Sequence, residues 1–110
     1  MDVLSLSAAD LVERYRTKQL SPVEVTRAAL DRITQLQPTY NAFVLVGEEE
    51  ALRDARASEA RWRRGEPLGL VDGLPTTVKD LLLLKGWPTR RGSRTVDPNQ
   101  AWDEDSAAVA

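Results

Sequence analysis

The sequence predicts an α/β chain, and three observations predict it. Three stretches place apolar residues at helical spacing behind readable helix starts. Two segments, 41–46 and 75–80, are rich in β-forming residues. A further helix start lies at Asp103-Glu104-Asp105-Ser106, yet the chain stops at Ala110. Two strands cannot build a sheet that buries a core. The 110 residues therefore read as the front part of one larger α/β domain, incomplete as given.

Taken in order, the first helix is expected over about 7–19. Ser7 is its N-cap, Asp10 the acidic partner of a capping box, and Leu11, Val12 and Tyr15 its apolar face. The second is expected over 22–37. Ser21 caps it, Pro22 takes the first helical position, Glu24 completes the box, and Pro38 stops it. Val23, Thr26, Leu30 and Ile33 form its inner face. The run Asn41-Ala42-Phe43-Val44-Leu45-Val46 lacks polar alternation and reads as a strand buried on both faces. The third helix is expected over 48–64. Three glutamates open it as the helix dipole favours, and Gly65 follows as a C′ glycine. Turns then recur up to Asp72-Gly73, and a short strand follows over 75–80. In that register Thr77, Lys79 and Leu81 share one face. Residues 89–102 read as a polar loop.

Composition narrows the function. The chain holds 42% hydrophobic and 29% charged residues, with a net charge of −2, which argues against a strongly basic nucleic-acid surface. It has no cysteine and no histidine, so it has no disulfide framework and no thiolate or imidazole metal ligand. No signal peptide opens it, and its longest apolar run, Leu81 to Leu84, is too short to span a bilayer. Only a carboxylate or carbonyl site for a hard cation stays open on composition, and the expectation is a cytoplasmic soluble protein.

Without histidine, acid–base chemistry near neutral pH has to fall to another group. Lys79 stands between a β-rich run and four leucines, and burial there would favour its neutral form, which can act as a base. On pattern alone a lysine near a strand end usually carries its head to solvent on a long stem. Serine nucleophiles are not supported. Ser7, Ser21 and Ser106 serve as helix starts, Ser58 is a small helix residue, and Ser93 lacks a G-x-S-x-G setting. Arg90, Arg91 and Arg94 read as a solvated loop.

The segments Leu6-Ser7-Ala8-Ala9-Asp10-Leu11, Ser21-Pro22-Val23-Glu24-Val25 and Asn41-Ala42-Phe43 are followed by Gly73-Leu74-Pro75-Thr76-Thr77-Val78-Lys79-Asp80. Gly92-Ser93 and Asp105-Ser106-Ala107-Ala108-Val109 come last. In this order and spacing the chain resembles the N-terminal part of the amidase signature family. The resemblance implies an α/β/α sandwich around a mixed sheet. It implies amide hydrolysis without metal or organic cofactor, by a Ser–cis-Ser–Lys triad with Lys79 as general base. Both serines and the oxyanion donors lie downstream of this segment in that family, so the 110-residue piece is expected to be inactive alone. The substrate would be a small-molecule amide. The family also includes the A subunit of the tRNA-dependent amidotransferase, which is the alternative reading. For the complete protein the resemblance allows a homodimer or amidotransferase partner subunits. A non-catalytic helical interaction module, with Lys79 as a surface lysine, is the alternative of another class.

Overall fold

Ser7 and Ser21 begin the first two helices through their side chains. In the computed structural model, which describes residues 2–80, 82–91, 95–97, 100–107 and 109, the Ser7 hydroxyl accepts the Asp10 N–H at 3.1 Å and that of Ser21 the Glu24 N–H at 3.2 Å. A 3-10 turn, Val3–Ser5, precedes α1 (Ala8–Arg16), α2 (Pro22–Tyr40) and α3 (Glu48–Arg63). The chain divides into two compact units, residues 1–75 and 76–110. No helix among the described residues is long and apolar enough to cross a membrane.

Helix ends depart from the sequence expectation for local reasons. α1 stops at Arg16 rather than near 19, because Lys18 turns left-handed at φ 65° and the Gln19 N–H reaches back to the Arg14 carbonyl at 2.9 Å. Gly65 ends α3 in the same manner, with φ 70° and the Glu66 N–H on the Arg61 carbonyl. Pro38 does not stop α2, which continues to Tyr40. In the last turn a proline forfeits only one helical bond, and Asn41 closes the end at φ 48° with its N–H on the Gln37 carbonyl at 2.8 Å.

The two expected strands, 41–46 and 75–80, are not formed. A strand requires a lateral partner, and among the described residues the chain offers none. At 41–46 the Gln37 amide takes that partner's place for one residue, accepting the Phe43 N–H at 3.1 Å and donating to its carbonyl at 2.5 Å. Val44, Leu45 and Val46 are exposed rather than buried on both faces. The fourth helix is also absent at 103–107. Its expected capping oxygens, on Asp105 and Ser106, are engaged by backbone N–H groups of residues 83–85 instead.

The core of the first unit is small: Leu11, Tyr15, Val25 and Trp62, flanked by Leu6, Val12, Leu20 and Leu74. The Tyr15 and Trp62 rings meet at 5.9 Å between centroids, tilted by 52°. Above them the loop 65–75 is pinned by one residue. The Asp72 carboxylate accepts the Ser58 hydroxyl at 2.8 Å, both donors of the Arg61 fork at 2.7 and 2.8 Å, and the Leu68 N–H at 2.9 Å. The Asp72 carbonyl accepts the Trp62 indole N–H, and the next carbonyl, of Gly73, accepts the Tyr15 hydroxyl, both at 2.9 Å. Hydrogen bonding from the Arg61 guanidinium holds the Asp72 carboxyl well below the usual carboxylate range, against the opposing effect of burial. Burial pushes the Tyr15 phenol up to about 12.

Gly73 has φ 89°, and a Cβ there would lie 2.7 Å from both the Pro22 ring and the Ser58 hydroxyl. Gly73→Ala combines a left-handed backbone with overpacking, and is expected to cost about 3 kcal/mol in urea unfolding followed by far-UV circular dichroism. A loss below about 1 kcal/mol would show that the loop relaxes freely.

Asp72 also sets an acid limit. Its folded pKa lies below the unfolded value of about 3.9, so its contribution is complete above that pH and is lost as pH falls into the strongly acidic range. Unfolding free energy measured against pH should fall less steeply there in Asp72→Asn than in the parent. Equal slopes would remove Asp72 as the cause.

Candidate active site

Residue Lys79 belongs to the second unit, whose shape is built around a turn. Gly86, at φ 86°, supplies the positive φ that the second central position of a type II turn demands. The Trp87 N–H bonds the Leu84 carbonyl at 3.0 Å, and Leu84 and Trp87 form an isolated antiparallel bridge. Away from the turn the two flanking segments stay in antiparallel register, but side chains replace the ladder. The Thr89 hydroxyl donates to the Leu82 carbonyl at 2.9 Å, and the Asp80 carboxylate accepts the Arg90 N–H at 2.7 Å. Thr89 is 4% exposed, the buried centre of this arrangement.

Residues 102–106 close over the same turn. The Ser106 hydroxyl accepts the Leu83 N–H at 2.6 Å while the Ser106 N–H returns a bond to the Leu83 carbonyl at 2.8 Å. The Asp105 carboxylate accepts the Lys85 N–H at 2.7 Å, and the Trp102 carbonyl accepts the Gly86 N–H. Polar groups from two directions thus fix the backbone that follows Lys79.

Lys79 itself is exposed, not enclosed by apolar neighbours as its sequence setting suggests. Its carbonyl accepts the Leu82 N–H at 3.0 Å. Its ammonium makes no hydrogen bond or ion pair among the described residues. The expected companion on its face, Leu81, lies outside those residues, as do Gly92, Ser93 and Arg94. The Asp80 carboxylate is turned to the Arg90 backbone N–H. Arg90 and Arg91 are exposed. No cluster of three or more carboxylates with metal-binding geometry occurs among the described residues.

The remaining serines take structural parts. Ser58, expected only as a small helix residue, is buried and hydrogen-bonded to Asp72. Ser106, expected as a helix start, is a backbone acceptor instead. In the first unit a shallow groove of about 550 Å³ is lined by Val12, Arg16, Trp62, Pro67 and Leu70 with two glycines, so its one ionisable side chain is an arginine, which is no base. What Lys79 offers chemically is an exposed primary amine on a braced backbone. Sequence reasoning finds that amine. It misses Thr89 and Asp72, for which only the Asp-Gly turn signal and a threonine after a proline are visible.

Comparison with known proteins places this arrangement. The amidase family matches residues 24–110. The A subunit of glutamyl-tRNA(Gln) amidotransferase from Salinispora arenicola is 50% identical over 93 residues, covering 84% of this chain and 19% of that protein. The protein of the same name from Cutibacterium acnes is 43% identical over 96 residues, covering 87% of this chain and again 19% of its own length. The crystal structure of a bacterial aryl acylamidase belonging to the amidase signature enzymes superposes with a TM-score of 0.79 at 38% identity, covering 94% of this chain and 21% of that one. The chain spans about a fifth of the length of the proteins it matches. With most of its residues inside the family match and a fold shared with a solved member, the chain belongs to the amidase signature family.

Proposed function

We propose that this chain is the N-terminal segment of an amidohydrolase that cleaves carboxamide C–N bonds, and that Lys79 is the general base of a Ser–cis-Ser–Lys relay. The observation that supports this most is the unpaired Lys79 amine, which stands at the lysine position of the family segment 73–80. In the relay the neutral amine takes a proton from an intermediary serine, which takes one from the nucleophilic serine. The freed oxygen attacks the carbonyl carbon and the tetrahedral intermediate collapses. The departing nitrogen regains a proton, ammonia or an amine leaves, and water hydrolyses the acyl-enzyme. Both serines and the oxyanion donors are supplied from outside these 110 residues, as are the remaining strands of the mixed sheet in an α/β/α sandwich. No metal or organic cofactor takes part in these steps.

Burial is what favours a neutral amine. Lys79 is exposed on these 110 residues, so in this proposal any apolar cover over its side chain comes from outside them. We place the complete protein in the cytoplasm, where a chain without cysteine needs no oxidising compartment.

A second reading is favoured by the curated relatives. In the A subunit of a glutamine-dependent tRNA amidotransferase, the same lysine would serve release of ammonia from glutamine, and partner subunits would pass it to a misacylated tRNA. The net charge of −2 gives no support for direct tRNA binding by this segment. Activity on simple amides without partner subunits separates the two readings.

In the complete protein, Lys79→Ala is expected to abolish nearly all turnover while the folded state persists. Lys79→Arg should fail as well, because a guanidinium keeps its proton. Turnover near the parent rate in either variant would refute the base assignment.

The 110-residue chain by itself is expected to release no ammonia from simple amides. A purified sample that does so, and loses the activity in Ser93→Ala, would identify a nucleophile within this segment.

A further inference from the structure

Among its described residues the second unit carries one buried hydroxyl that the relay does not use. Thr89 is 4% exposed, and its hydroxyl donates to the carbonyl of Leu82, whose own N–H is bonded to the carbonyl of Lys79. Beside it, the Asp80 carboxylate takes the Arg90 N–H. A side chain of each segment therefore grips the backbone of the other, immediately after Lys79. A backbone ladder would leave these positions indifferent to side-chain chemistry, but no such ladder forms here among the described residues.

We propose that Thr89 is a positioning residue for Lys79. Resting on the reading of Lys79 as the base, the inference is that the Thr89 hydroxyl fixes the backbone from which the lysine side chain extends. A lysine has a long, flexible stem, so its head is located only as well as its backbone is. The amine must sit within about 0.5 Å of its productive place for efficient proton transfer. Uncharged and buried, Thr89 acts on this placement through geometry and not through a charge of its own. Its neighbour Asp80, half-buried, braces the other side of the same residue pair.

The test uses the complete protein and a simple amide, with kcat and KM determined separately. Thr89→Val keeps shape and volume but removes the donor. It is expected to lower kcat by about ten-fold or more with KM changed by less than about two-fold, since misplacing a group by about 1 Å costs rate rather than binding. Thr89→Ser, which keeps the hydroxyl, should recover most of kcat. A merely structural threonine would lower the unfolding midpoint but leave kcat per folded molecule intact, and that result overturns the proposal. If Thr89→Val does not fold, Thr89→Ala decides in its place by the same split of kcat from KM. Lys79→Ala is measured alongside. If it is inactive while Thr89→Val keeps the parental kcat, the base assignment stands and the positioning role falls. If Lys79→Ala is active, both fall.

Discussion

The Asp72 carboxylate is the contact on which the first unit depends. Donors from two elements meet on it: the hydroxyl of Ser58 and the fork of Arg61 from α3, and the backbone of Leu68 from the loop. The two carbonyls at 72 and 73 then take up the polar tips of Trp62 and Tyr15. The aromatic pair is thus oriented by the same turn that the carboxylate secures. A carboxylate with a side chain only 5% exposed is tolerable because its oxygens are satisfied, and its partner is an arginine whose planar fork binds both of them. A core of four large residues leaves little apolar burial to hold the loop 65–75, so the polar contacts carry that task.

Much of the helical layout is legible because its signals are local. A serine before a helix, a proline at its first position and a glycine after its last turn each act within a few residues, and Ser7, Ser21, Pro22 and Gly65 do so here. The strands are not legible as such. A β-rich run states only what would pair if a neighbour were present, and 41–46 and 75–80 have none among the described residues. Pro38 misleads for a related reason, since its cost depends on how many helical bonds follow it. Asp72, ten to fourteen residues from the α3 side chains it binds, gives a turn signal but no hint of burial. Ser106 and Asp105 look like a cap because serine and aspartate accept backbone N–H groups. They do accept them, but from residues about twenty positions earlier.

For the site, residue identity is readable and environment is not. A chain without histidine directs attention to Lys79, the residue we propose as the base. The leucine run suggests enclosure, whereas the lysine is exposed on this chain. Desolvation is a property of everything that packs around a group, not of its sequence neighbours. What the chain does supply is an anchored backbone: Leu82, Leu83 and Lys85 are each held by a side chain from another part of the second unit.

That way of anchoring has a bearing on how freely the segment can drift in evolution. In a pleated ladder the register is kept by groups common to every amino acid, so most exchanges leave it intact. Between Asp80 and Arg90 the register is kept by a particular carboxylate and a particular hydroxyl, each reaching a backbone group across the turn. Exchanging the leucines for other apolar residues preserves those bonds. Exchanging the two small polar residues does not. Sequence variation should therefore accumulate in the greasy part of this segment and be purged from its polar part, the reverse of what an ordinary buried strand would permit.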